Sequence, residues 1–173
     1  MMGQIKAKTF FAVVVGLYFL KCAYDPSQWH FLDGVNLIIH EAGHVVFMPF
    51  GEFVMIAGGS AFQVIVPLTF CGYFLYHRQY FEGALTSFWA GESILNVSVY
   101  ARDAVAMELP LLGGSDSLHD WNYLLGRMGM LGLTIAVAGL IRLVGTLVIF
   151  AGFAGAIYFS LSRRPETPWE KSA

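Results

Sequence analysis

Val35-Asn36-Leu37-Ile38-Ile39-His40-Glu41-Ala42-Gly43-His44-Val45-Val46-Phe47-Met48-Pro49-Phe50 is an apolar segment that carries two histidines and a glutamate in its middle. A helix there projects His40 and His44 from one face, one turn apart. The run is shorter than the roughly 20 apolar residues a spanning helix requires, so it either spans or enters a bilayer and returns. Ionisable side chains in an apolar membrane segment are costly and are functional by default.

Working outward, the whole chain is as apolar as this segment leads one to expect. Hydrophobic residues make up 57 % and charged residues 13 %, against about 25 % charged in ordinary soluble domains. Mean hydropathy is +0.62. Such a chain needs the lipid bilayer as its solvent, and we expect an integral, multi-pass membrane protein. The net charge of −2 leaves no electrostatic footprint for nucleic acid. The length suits one domain, 1–162, followed by a polar tail, 163–173, expected to be disordered. Cys22 and Cys71 form no CxxC pair and read as packed thiols. The apolar stretch Thr9–Leu20 after Lys6 and Lys8 looks like a signal, but Lys21 stands where a small residue should precede cleavage. An uncleaved anchor is expected.

The fold class expected is all-α, a polytopic membrane helix bundle of about four to five spans with the histidines on a short intramembrane helix. Four segments, about Ile5–Ala23, Gly59–Tyr76, Tyr80–Tyr100 and Thr134–Leu161, are long enough to cross. Lys6 and Lys8 place the N-terminus in the cytoplasm, and Arg78, Arg163 and Arg164 join it there if Val35–Phe50 is re-entrant. Loops 24–34 and 102–120 then share the outer side. Gly58-Gly59-Ser60 reads as a turn, Gly43 as room beside a metal, and Gln63 as a helix-to-helix hydrogen-bonding residue. Gly126, Gly129, Gly132, Gly139 and Gly145 read as close-packing positions. Asp116 or Ser117 is placed to cap a short amphipathic helix, Asp120–Leu131.

Two imidazoles four apart on a helix can bind one Zn²⁺ at about 2.0–2.1 Å each. Glu41, beside the first, is placed to take a proton from an attacking water and pass it to a leaving group. Asn36, one turn before His40, extends the polar stripe and is a candidate to orient a ligand. A catalytic zinc needs a third protein ligand and an open fourth position. His119 and Asp120 follow a glycine-containing loop able to fold back on the motif, and Glu92 lies inside an apolar span with Asn96 one turn on. His119 ranks first because imidazole is the commoner zinc partner, Asp120 second and Glu92 third. Glu92 and Asn96 are also candidates for the polar lining of the site.

With His40-Glu41-Ala42-Gly43-His44 on an apolar segment, the chain resembles the membrane-embedded zinc metalloproteases, nearest the site-2 protease-like group. The resemblance covers about Asn36–His44. It implies His40 and His44 as zinc ligands, Glu41 as general base and an aspartate from a later helix as third ligand. The group's later Asn-Pro and Leu-Asp-Gly motif is absent downstream; Leu32-Asp33-Gly34 precedes the histidines, where it reads as a helix cap. Asp120 is then a functional substitute for the family aspartate. Glu92 is similar in placement to the glutamate ligand of thermolysin-like enzymes.

The leading expectation is a metallopeptidase cutting a membrane-associated peptide or protein. A second is a zinc-dependent hydrolase of a lipid amide or ester. A third is a zinc-stabilised assembly subunit with a closed site of His40, His44, His119 and Asp120.

Overall fold

The computed structural model describes residues 2–110, 112 and 118–162, and every regular element among them is helical. These are α1 (Met2–Tyr24), α2 (Phe31–Phe47), α3 (Glu52–Tyr76), α4 (Tyr80–Arg102), α5 (Asp120–Arg127) and α6 (Thr134–Leu161), with short 3₁₀ turns at Met48–Phe50 and Leu131–Leu133. The all-α expectation holds. The expected polar tail and the caps at Asp116 or Ser117 lie outside the described residues.

Local chemistry sets the helix ends. At the start of α2 the Asp33 carboxylate accepts the backbone N–H of His30, the capping role expected of Leu32-Asp33-Gly34. Pro49, which cannot extend a helical ladder, and Gly51, at φ +94°, make the turn into α3. That turn comes seven residues before the expected one, so Gly58-Gly59-Ser60 lies inside α3. α5 stops at Arg127, short of the expected Leu131. Gly129 adopts φ +68° and the Met130 N–H reaches back 2.7 Å to the Leu125 carbonyl, a glycine-terminated helix end.

α4 is the central helix, packed between α3 and α6 and touching α1 and α2. Its partner α6 comes close enough to bring backbones together. A Cβ on Gly145 would lie 2.9 Å from the Gly91 carbonyl oxygen, and one on Gly152 would lie 2.3 Å from Ser87 Oγ. This is the small-residue packing that lets helices associate in lipid. Of the glycines expected to pack closely, only Gly145 does so. Gly132 and Gly139 face open space, Gly126 has only Leu131 within 4 Å, and Gly129 makes the turn. Phe19 stacks on Phe88 at 5.1 Å and joins α1 to this core.

Three contacts locate the ends of the bundle. The Lys8 ammonium lies 5.3 Å over the Phe81 ring, Thr9 and Ser160 share a 3.0 Å hydrogen bond, and Tyr80 stacks on Phe159 at 5.2 Å. The start of α1, the α3–α4 turn and the end of α6 therefore meet at one end. The α1–α2 connection and the segment after α4 meet at the other, where both line one cavity.

Among the described residues two helices, Glu52–Tyr76 and the stretch Leu131–Leu161, are long and apolar enough to cross a membrane. α1 and α4, also expected to cross, fall short of that apolarity. α1 carries Lys6, Lys8 and Lys21, and α4 carries Glu82, Glu92, Asn96 and Arg102. For α4 the reason is its position. Phe88, Ala90, Glu92, Ser93 and Leu95 are enclosed by neighbouring helices, so its polar side chains face protein partners.

Candidate metal centre

α2 is folded with its polar stripe inward. Asp33, Asn36, His40 and Gly43, at spacings of three and four, are buried, while Ile38 is 72 % and Val45 66 % exposed. His40 and His44 thus stand one turn apart against α3, their rings edge to face at 4.8 Å. Gly43 lets this happen. A Cβ there would lie 2.4 Å from the Gly58 carbonyl, so Gly43 serves the α2–α3 crossing and does not make room beside a metal.

α5 delivers the third group. Asp120 Oδ2 lies 2.9 Å from His40 Nε2 and 3.2 Å from His44 Nε2. Its backbone N–H donates to the Tyr100 hydroxyl at 3.1 Å, and the Trp121 indole N–H donates to Ser60 Oγ at 3.1 Å, pinning α5 to α4 and α3. His119 is turned the other way. Its Nδ1 accepts the Asn122 N–H at 3.2 Å as the cap of α5, and its Nε2 lies 3.2 Å from Asp103 Oδ2. Both ring nitrogens are occupied, so His119 does not join the pair and the ranking of it ahead of Asp120 is reversed.

Glu92 is also elsewhere. Its carboxyl accepts from Asn36 Nδ2 at 2.7 Å and faces that of Asp33, while Asn36 Oδ1 accepts from the Trp89 indole at 2.9 Å. Asn36 and Glu92 therefore bond to each other. Asn96 bonds to Gln63 and Asp33. Every buried side-chain nitrogen and oxygen among the described residues has a partner, as buried polar groups require.

The proton positions follow from those partners. His44 Nδ1 lies 3.0 Å from the Met55 carbonyl, which can only accept, so the proton sits on Nδ1 and neutral His44 offers a bare Nε2. His40 Nδ1 faces Gln63 Oε1 at 3.2 Å and behaves alike. Burial pushes the Asp120 carboxyl up, but a proton carried on the facing imidazoles in the metal-free protein outweighs that and holds it below the ordinary carboxylate range. Two lone pairs and a carboxylate oxygen repel one another unless a cation lies among them.

His40, His44 and Asp120 are therefore a possible metal-binding group, with all candidate ligand atoms within 4.8 Å of one another. The fit to zinc is good. Bonds of about 2.0–2.1 Å in tetrahedral geometry set ligand atoms roughly 3.3 Å apart, close to the separations seen. Gly59 supplies the cradle, since a Cβ there would lie 2.6 Å from Nε2 of both histidines. Among the described residues no fourth His, Cys, Asp or Glu joins the group.

The three groups form the floor of a cavity of about 410 Å³, within the range of small-molecule and peptide sites. Glu41 stands in its wall, beside the first histidine. Trp29, from the α1–α2 connection, and Leu109 and Leu118, from the segment after α4, border it. Residues that sequence reasoning did not assign to the site are Gly59, Met55, Tyr100 and Trp121. Only Gly59 left a trace, as half of a glycine pair near the motif. Compared with models of protein families, with curated proteins and with solved structures, the chain matches none of them.

Proposed function

We propose that the protein is a membrane-embedded zinc hydrolase, a metallopeptidase acting on a membrane-associated peptide. The observation that carries this reading is the convergence of His40 Nε2, His44 Nε2 and Asp120 Oδ2 over Gly59 at the floor of a cavity that Glu41 also lines. A zinc ion held there supplies a Lewis acid that activates water and polarises a carbonyl. Glu41 takes the proton of the attacking water and returns it to the leaving amine. Asp120, tied through its backbone to Tyr100, and the two histidines, each tied through Nδ1, hold the floor rigid while substrate enters between the two bordering segments.

Three protein ligands with an open position mark catalytic zinc sites, whereas structural sites close with four. The described ligand set thus favours catalysis over an assembly role. The cavity also favours a peptide over an anionic lipid. Its described lining includes Asp33, Glu41 and Asp120 but neither lysine nor arginine, so beyond the metal itself a phosphate or fatty-acid carboxylate finds no countercharge.

The membrane setting is supported by α2, which buries its polar face and turns its apolar one outward, the reverse of a soluble amphipathic helix. The windows that qualify α3 and α6 as spans are only 33 % and 22 % buried, unlike core helices of soluble proteins. Lys8 and Arg78 lie at the end away from the site, and we read that end as the cytoplasmic one, with Lys21 and Arg102 at the opposite ends of their helices.

The test is cleavage of an apolar peptide by the purified protein in lipid vesicles. Cleavage should stop on chelation and return with Zn²⁺. Cleavage that continues at full rate after the metal is stripped contradicts the reading.

A further inference from the structure

Gln63 is a buried amide in the middle of α3, 2 % exposed, and all of its side-chain polar atoms are committed. Its Nε2 donates to the Ser93 backbone carbonyl at 3.3 Å and to Asn96 Oδ1 at 2.7 Å. Asn96 Nδ2 in turn donates to Asp33 Oδ1 at 2.8 Å. Ser93 Oγ donates back to the Gln63 carbonyl at 2.8 Å, so the two backbones are locked together as well. The direction of this chain is set by chemistry. A backbone carbonyl only accepts, so the NH₂ group of Gln63 must face Ser93 and Asn96. Its oxygen is then the only atom it can present to His40 Nδ1, 3.2 Å away.

We propose that Gln63 is a positioning residue for His40, holding the ring proton on Nδ1 so that Nε2 is bare toward the metal. Asn96 and Asp33 extend the hold by fixing the amide's orientation. This inference rests on the reading of His40, His44 and Asp120 as a metal centre. It goes beyond it in assigning an orienting partner from α3, with an anchor on α4 and at the start of α2. His44 needs no such residue, because the Met55 carbonyl does the same work from the backbone. Orienting partners of this kind typically account for 10–100-fold in metal affinity.

The experiment measures Zn²⁺ affinity of the full-length protein in detergent by competition with a chromophoric chelator. Unfolding temperature of the metal-free protein is read alongside. Gln63→Met keeps the volume and removes the acceptor, and should weaken binding by about 10–100-fold. Asn96→Ala leaves the Ser93 clamp in place and should weaken it less. If Gln63→Met fails to fold, Asn96→Ala decides, a fall in affinity supporting the proposal and wild-type affinity overturning it. A Gln63→Met protein with lowered unfolding temperature but wild-type affinity shows that the residue only joins helices, and overturns the proposal. A wild-type protein that holds no zinc at all removes the metal reading itself, a failure distinct from the one above.

Discussion

At the scale of single residues, the geometry separates the groups that converge as a possible metal site from those that only line the cavity beside it. Glu41 lines the cavity but is not among the convergent ligand atoms. Glu41→Gln should therefore lower the hydrolysis rate by about 10²–10⁴-fold, the usual worth of a general acid–base group, and leave zinc content unchanged. Assay of both on one preparation checks this; zinc lost together with activity would make Glu41 a ligand. Gly59 makes the sharper case. Alanine is the better helix former by about 1 kcal/mol, yet its Cβ would sit 2.6 Å from both imidazoles. Because Gln63 and the Met55 carbonyl hold those rings, Gly59→Ala should empty the site and also lower the stability of the metal-free protein, as zinc analysis and thermal unfolding would show. The two histidines were legible because helical periodicity alone puts them on one face. Gly59 was not, since a glycine's role depends on what packs over it. Asp120 and His119 were adjacent on a loop, and only the helix start at Asp120 decides which of them turns inward.

At the scale of elements, α5 is the short piece on which the site depends. It has eight residues, is capped by His119 and is pinned through Trp121 to Ser60. His119→Ala removes a cap, a loss of about 0.5–2 kcal/mol, and should lower the unfolding temperature while zinc stays bound. The fold-back of this element was legible in the glycine-containing sequence before it. Its early end at Gly129 was not, because Gly126, Gly129 and Gly132 look alike in sequence and only one takes φ above zero. The α4–α6 crossing makes its own prediction. Gly145→Ala puts a Cβ 2.9 Å from the Gly91 carbonyl and should destabilise the bundle by about 1–3 kcal/mol, measured as an earlier unfolding transition. Helix α4 shows why composition undercounts such an element. Enclosed by its neighbours, it carries polar residues that a lipid-facing helix would not.

At the scale of the whole molecule, the helices sort into two ends, one with Lys8 and the α3–α4 turn, the other with the site and its bordering segments. α3 has 25 residues and is about 38 Å long at 1.5 Å per residue, enough for a hydrocarbon core of about 30 Å. In a protein whose Cys71 is replaced by serine, cysteines placed by His77→Cys and Gln28→Cys should react with an impermeant maleimide from opposite sides, His77→Cys from the cytoplasm. Labelling of both from one side would contradict the end-to-end arrangement in the membrane. The central claim is that a metal joins α2 to α5 through His40, His44 and Asp120, and zinc content per chain tests it most directly. The wild type and His119→Ala should each hold one equivalent, and His40→Ala, His44→Ala and Asp120→Ala should each hold almost none. Zinc retained in full by Asp120→Ala, or lost from His119→Ala with the fold intact, would contradict the account.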